Sequence, residues 1–209
     1  MAKYIKIYDK NPDPVRIAEV VDIFREGGIV IYPTDTVYSM GALLSKSRAI
    51  EKLARLKGIK PENARFTLLF HSLSQMSDYI KQIDKSVFKI IKRGTPGPYT
   101  FILPATHRLP KVLHKRKTIG FRVPDHPVLL EILKELGEPI VSTSIRQTDE
   151  QSFDEYVTDP ELIYEKWRKH VDAVIDGGIL DKLPSTVIDL SVDEPEIIRE
   201  GKGDVNRLF

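Results

Sequence analysis

A chain of 209 residues, 41% hydrophobic and 30% charged with a formal net charge of +2, has the size for one α/β domain with a substantial core, taken here as residues 1–209. The absence of cysteine excludes disulfides, iron–sulfur clusters, thiolate zinc sites and a cysteine nucleophile, and it fits a reducing compartment. No run approaches the roughly 18 apolar residues of a membrane-spanning helix, and Met1-Ala2-Lys3-Tyr4 leads into a strand-like segment without a signal peptide, so a cytoplasmic protein with no membrane association is expected.

Taken in order, Tyr4 to Tyr8 reads as a short strand, and Pro14 opens an amphipathic helix with Val15, Ala18, Val21 and Phe24 directed inward. Gly27-Gly28 ends that helix. Ile29 to Tyr32 is a continuous apolar strand of the kind buried on both faces, and it stops at Pro33. A second helix is expected from Ser47 to Lys57, with Ile50, Leu53, Ala54 and Leu56 inward and Gly58 as its stop. Phe66 to Phe70 reads as a strand, and Ser74 to Arg93 as two helices broken near Asp84, an acidic cap for the second. Six further strands are expected at Tyr99–Leu103, Thr118–Val123, Pro139–Val141, Ala173–Ile175, Thr186–Leu190 and Glu196–Ile198. Helices at Val128–Leu136 and Pro160–Lys169 separate several of them, and this interleaving predicts a mixed α/β sheet covered by helices. The polar stretch Gln147 to Val157 reads as a surface loop.

Charge is polarised along the chain. Between Lys85 and Pro124 stand ten Lys or Arg and no Asp or Glu, whereas Asp149 to Ile198 holds fourteen Asp or Glu against four Lys or Arg. A basic block of this kind attracts phosphate or another anion if its charges converge on one face. Inside it lie the turn-forming run Gly94 to Thr100 and the strand-like Lys115-Arg116-Lys117-Thr118-Ile119-Gly120-Phe121-Arg122.

Hydroxyl clusters recur beside predicted strands: Pro33-Thr34-Asp35-Thr36-Val37-Tyr38 after the first buried strand, Ser142-Thr143-Ser144 after Pro139–Val141, and Ser185-Thr186 after Pro184. Open α/β sheets bind ligands outside the carboxyl ends of their strands. The chain carries no nucleophile elbow, Walker phosphate loop, dinucleotide glycine fingerprint or HExxH motif. His71, His107, His114, His126 and His170 lack metal-ligand spacing and each reads as a surface residue, so no metal ligand is assigned. What remains is cations, hydroxyls and glycines at strand ends, groups that bind and orient anions.

This ordered series, namely Tyr32–Tyr38, Lys57-Gly58, Pro96-Gly97-Pro98-Tyr99-Thr100, Arg122-Val123-Pro124, Ser142-Thr143-Ser144, Asp176-Gly177-Gly178, Ser185-Thr186-Val187 and Arg199-Glu200-Gly201, resembles the YrdC-like domain family over nearly the whole chain. Thr95-Pro96-Gly97, Lys115–Gly120 and Gly201-Lys202-Gly203-Asp204-Val205 look most like its YciO branch. The resemblance implies a twisted mixed parallel and antiparallel sheet with flanking helices around a basic concave pocket. It also implies threonylcarbamoyl-AMP synthesis from L-threonine, bicarbonate and ATP with release of pyrophosphate, a step of tRNA modification. ATP is then a substrate, with Mg²⁺ expected alongside it. By the same resemblance Lys57, Thr118, Ser144 and Arg199 contact the nucleotide, and Thr36, Arg122, Ser142 and Ser185 hold threonine or the adjoining phosphate. Lys57 and Arg122 are the expected catalytic residues, Arg122 because a guanidinium grips a carboxylate with two parallel hydrogen bonds.

Departures from the family pattern bear on activity. The synthases' Lys-x-Arg pair is here Lys57-Gly58-Ile59, leaving Lys60 or Arg65 to reach the same phosphate, and their Ser-x-Asn pair is Ser142-Thr143-Ser144. A histidine that relatives place in the following strand aligns with Phe70, next to His71. Synthase activity is therefore expected to be weak or redirected. The extra C-terminal domain of longer relatives is not expected after Phe209. The alternative is a binding module in which the same basic concavity takes double-stranded RNA or tRNA, with Tyr99, Phe101 and Phe121 stacking on bases. Oligomeric state is not legible in the sequence.

Overall fold

The computed structural model describes residues 1–60, 63–113, 117–146 and 156–209. Lys115 and Arg116 of the basic block, and all but the last two residues of the polar Gln147–Val157 stretch, lie outside the described residues. In chain order the elements are β1 (Lys3–Lys6), α1 (Pro14–Arg25), β2 (Val30–Tyr32), β3 (Ser39–Leu43), α2 (Ser47–Leu56), β4 (Thr67–Leu69), α3 (Leu73–Ser77), α4 (Lys85–Arg93) and β5 (Tyr99–Pro104). There follow β6 (Thr118–Arg122), α5 (Pro127–Leu136), β7 (Ile140–Ser144), α6 (Pro160–Trp167), β8 (Ala173–Asp176), β9 (Thr186–Asp189) and β10 (Glu196–Arg199). All ten strands form one sheet in the order β1-β8-β2-β3-β7-β4-β6-β5-β9-β10. Its pairs are parallel at β1–β8, β8–β2, β4–β6 and β5–β9 and antiparallel elsewhere, the mixed α/β sheet that the alternation of elements predicts.

The two faces of the sheet bury separate cores. On one, α1 and α5 lay Val20, Phe24, Leu129 and Ile132 against Val30, Tyr32, Leu43 and Ile140. On the other, Ile50 and Leu53 of α2, Ile91 of α4 and Ile163 of α6 join the cluster that holds Met40, Leu68, Phe101, Phe121 and Val141. Strand alternation sends neighbouring side chains to opposite faces, so Ile119 and Phe121 of β6 enter the second core while Thr118, Gly120 and Arg122 point the other way. Phe121 stacks on Phe70 with ring centroids 5.7 Å apart.

Several local expectations are corrected. β3 is absent from the sequence-based assignment because Ser39-Met40-Gly41-Ala42-Leu43 has no polar alternation; it lies between β2 and β7 with every residue buried. Val15 is exposed, and Ile17, Val20, Val21 and Phe24 form the buried face of α1. Nine residues at about 100° each carry Val15 about 180° around the helix from Phe24, so a strict three-residue spacing drifts off the core. β1 ends at Lys6, and α3 is a single short turn rather than a helix reaching Asp84. Asp84 does precede α4, but its side chain makes no capping hydrogen bond.

Candidate functional site

A polar row crosses the sheet on the face that α1 and α5 partly cover. On β7, Ile140, Ser142 and Ser144 share one face, and the register sets Ser142 opposite Thr67 of β4 and Thr67 opposite Gly120 of β6. Thr118 and Arg122 stand two residues to either side of Gly120, on the same face. Arg146 continues the alternation beyond Ser144, while Ile145 turns into the core. Gly41 lies opposite Ser142, and a Cβ there would meet the Tyr32 hydroxyl at 2.6 Å. That hydroxyl donates to Ser142 Oγ at 2.7 Å. Burial holds the Tyr32 phenol well above its ordinary pKa, so it remains a donor. The Ser142 proton is thereby directed elsewhere on the polar face.

Arg122 is tied to the loop after β2. Its Nη2 donates to Asp35 Oδ1 and, at 3.1 Å, to Thr36 Oγ1. Thr34 Oγ1 spends its proton on the Val37 carbonyl at 2.8 Å and accepts the Thr36 amide at 3.0 Å. By proton count Thr36 must donate in the 2.9 Å contact between the two hydroxyls. A directional chain therefore runs from the Arg122 guanidinium through Thr36 and Thr34 to a backbone carbonyl. Arg122 and Thr36 are both buried, and Arg122 Nε and Asp35 Oδ2 have no hydrogen-bond partner.

The third group comes from β5, β9 and β10. Thr100 and Ser185 share a hydroxyl contact of 2.9 Å. Arg199 donates through Nε and Nη2 to the Ser185 carbonyl, at 3.1 and 2.8 Å, and through Nη1 to the Tyr156 hydroxyl at 3.4 Å. Arg146 donates to the same hydroxyl at 3.1 Å, with its guanidinium 5.2 Å from the Tyr156 ring centre. Burial is the main influence lowering the Arg199 pKa; the charges of Arg146 and Arg122 act in the same direction and Tyr156 opposes. Three guanidinium groups thus share one electrostatic neighbourhood, a favourable setting for an anion. Neither Arg146 nor Tyr156 was among the residues expected from sequence.

Thr186 Oγ1 fixes the segment after Arg199, donating to Gly203 O at 2.6 Å and accepting from the Gly201 amide at 2.9 Å. A Cβ on Gly201 would stand 2.2 Å from the Pro184 carbonyl oxygen. Backbone against backbone leaves no side chain to yield, so Gly201→Ala is expected to cost about 3 kcal/mol of stability, the upper end of usual overpacking losses. A urea midpoint equal to that of the parent chain would contradict this.

Lys57, at the end of α2, arrives from the opposite side of the sheet. Its Nζ donates to Thr143 Oγ1 at 2.9 Å and to the Ser144 carbonyl at 3.5 Å, and Thr143 points away from Ser142 and Ser144 by strand alternation. The structure therefore joins Thr36 to Arg122 and Ser185 to Arg199 by direct hydrogen bonds, with Ser142, Thr118 and Ser144 standing along the same polar face. Lys57 reaches the end of β7 from the α2 side. Tyr99, Phe101 and Phe121 are buried in the core and offer no stacking surface to a base.

Beside the Pro33–Tyr38 loop opens a cleft of about 430 Å³, lined by Asp9, Asp35, Asp125 and Asp181 along with Thr36, His126 and Lys202. His126 is buried, at 4% exposure, which corrects its reading as a surface residue. It lies at the N-terminus of α5, in a loop between β6 and that helix which the sequence leaves looking exposed. Burial pushes its pKa below the ordinary 6.5, Arg122 adds to this, and Asp9, Asp35 and Asp125 pull the other way. The unfolded chain therefore takes up the proton first as pH falls: the stability held in the neutral ring is complete above 6.5 and is lost as pH drops through the lower folded value. The urea midpoint is expected to fall between about pH 7.5 and about pH 5.5, and to fall less in His126→Gln; parallel curves would contradict it. Among the described residues no group of three or more His, Asp or Glu is arranged to hold a metal ion, and no helix is long and apolar enough to cross a membrane.

Comparison with known proteins places this architecture in a family. The Sua5/YciO/YrdC family model, described as telomere recombination, matches residues 22–201. The uncharacterised protein YciO of Escherichia coli K12 is 42% identical over 207 residues, 98% of each chain. A threonylcarbamoyl-AMP synthase of Bacillus subtilis is 30% identical over 192 residues, covering 90% of this chain but 54% of that enzyme. Among solved structures, E. coli YciO superposes with a TM-score of 0.90 at 40% identity, over 100% of both chains. Pyrococcus abyssi Sua5 in complex with L-threonine does so with a TM-score of 0.84 at 28% identity, over 95% of this chain and 57% of that one. The chain belongs to the Sua5/YciO/YrdC family.

Proposed function

We propose that this chain binds ATP and an amino acid on the polar face and forms a carbamoyl adenylate, with L-threonine and bicarbonate as the first substrates to test. The observation that carries the reading is the convergence of Arg122, Arg146 and Arg199 with Ser142, Ser144 and Ser185 on one side of the sheet. The threonine complex of P. abyssi Sua5 and the activity named for the B. subtilis relative support it. The amine of threonine and bicarbonate would combine to a carbamate with loss of water. A carbamate oxygen would then attack the α-phosphorus of ATP in line while pyrophosphate leaves, the activated product being of the kind consumed in tRNA modification.

Such a transfer needs alignment and neutralisation of charge on phosphate oxygens more than a side-chain nucleophile. In this reading Thr118, Ser144 and Arg199 hold the nucleotide, joined by Arg146 and by Lys57 once its side chain swings from Thr143 round the end of β7. Thr36, Arg122, Ser142 and Ser185 position the amino acid and the phosphate next to it. Mg²⁺ would arrive bound to the phosphates and neutralise part of their charge. In calorimetric titration ATP should bind the parent chain and bind about tenfold more weakly to Arg146→Ala, the size expected for one lost charged hydrogen bond. Equal affinity of parent and variant would remove Arg146 from the site.

A further inference from the structure

We propose that the cleft beside the Pro33–Tyr38 loop is a second site, for a small aliphatic polyamine, in which Asp9, Asp125 and Asp181 bind ammonium groups and neutral His126 accepts a hydrogen bond from one of them. This proposal does not rest on the adenylate-forming reading.

The cleft adjoins the polar face, with Thr36 and Asp35 at the boundary between the two, but its electrostatic character is the opposite. Four carboxylates line it against a single cation, Lys202. The charge of Asp35 is matched by Arg122, which leaves three aspartates facing one lysine. They come from separate segments: Asp9 lies between β1 and α1, Asp125 between β6 and α5, and Asp181 after β8. Proximity to the first turn of α5 is a sufficient structural reason for Asp125 alone. It explains neither Asp9, Asp181 nor the buried histidine.

His126 is the independent sign of a ligand. Its side chain is 5% exposed and lines the cleft, yet neither ring nitrogen has a hydrogen-bond partner. Asp9 Oδ1 stands 3.5 Å from Nε2, within ion-pair range but outside hydrogen-bond geometry. Buried Asp35 Oδ2 is likewise without a partner. Leaving buried polar atoms unpaired is costly, and a neutral imidazole beside carboxylates calls for a ligand that brings N–H donors and positive charge. Burial lowers the His126 pKa and so favours the accepting form of the ring.

The ligand class follows by exclusion. Phosphates and carboxylates are repelled by the three aspartates. A preformed metal site is not available among the described residues. An ammonium supplies three donors in a compact charge, and Pro98, Pro127 and Leu180 provide apolar walls for intervening methylenes. A volume of about 430 Å³ falls within the range of about 300–1,000 Å³ typical of small-molecule sites.

The test is calorimetric titration of the full chain at low ionic strength with spermidine, n-butylamine and MgCl₂ as separate probes. Spermidine is expected to bind saturably and n-butylamine at least about tenfold more weakly, because one charge meets only part of the site. Asp125→Asn and Asp181→Asn replace exposed carboxylates with side chains of the same shape, and each should weaken spermidine binding about tenfold. Glu165→Gln on α6, distant in sequence and exposed, should leave it unchanged. His126→Gln adds a fourth variant, and the two Asn variants decide the matter if it fails to fold. The proposal is overturned if spermidine shows no saturable binding, if either Asn variant binds it as tightly as the parent, if n-butylamine matches spermidine, or if MgCl₂ occupies the site in its place. Pyrophosphate release forms no part of the readout, so failure here is separable from failure of the adenylate reading.

Discussion

Arg122→Ala is expected to lower the free energy of unfolding by about 3–5 kcal/mol, the usual loss when one partner of a buried ion pair is removed. Both side chains of the Arg122–Asp35 pair are close to fully buried, at 8% and 11% exposure. Deleting the guanidinium leaves the Asp35 carboxylate in a low-dielectric setting with Oδ2 already unpartnered, and it removes the donor that fixes the Thr36 hydroxyl. The effect should be non-additive. Asp35→Ala combined with Arg122→Ala should cost clearly less than the sum of the two single variants, since the double variant strands no charge. Urea unfolding followed by circular dichroism measures all three. Additive losses, or a loss below about 1 kcal/mol for Arg122→Ala, would mean that the pair is more solvated than its burial indicates. Because Arg122 is so deeply engaged with Asp35 and Thr36, its service to an amino-acid carboxylate requires the free Nε or a shift of that pair on binding.

Arg199→Ala is expected to reduce ATP-dependent pyrophosphate release by about 100- to 1000-fold, the scale of losing one well-placed charge-stabilising donor. Its Nε and Nη2 both hold the Ser185 carbonyl, so the planar group is aimed before any ligand arrives. Arg199→Lys should recover only part of the rate, because a lysine keeps the charge but cannot make that two-donor grip. Lys57→Ala should also slow the reaction severely while costing about 1 kcal/mol of stability, the scale of its hydrogen bond to Thr143. A rate for Arg199→Ala within threefold of the parent, with the fold intact by circular dichroism, would remove Arg199 from the site.

Much of this arrangement is legible in the sequence because strand alternation is a two-residue rule. Thr118-Ile119-Gly120-Phe121-Arg122 alternates without exception, and its apolar members do enter the core while the others line the polar face. The same rule applied two residues past Ser144 would have found Arg146, and nothing but the assumed end of the strand hid it. β3 resisted the same reading: a strand enclosed by neighbours on both edges and both faces needs no polar side, and Gly41 is required by the approach of the Tyr32 hydroxyl rather than by a turn. His126 and Tyr156 were missed for a different reason. Their roles depend on contacts with segments far away in sequence, Asp9 for the first and Arg199 for the second, and no local pattern announces such partners. The acidic cleft is of this long-range kind too, assembled from aspartates spread between positions 9 and 181.

The most direct measurement is pyrophosphate release by the purified chain with ATP and Mg²⁺, run with and without bicarbonate and with and without L-threonine, the nucleotide product identified by mass spectrometry. Release should require both co-substrates, a carbamoyl adenylate should appear, and both signals should collapse in Arg199→Ala. Absence of pyrophosphate release with threonine and with every other amino acid supplied in its place, from chain shown to be folded, would contradict it.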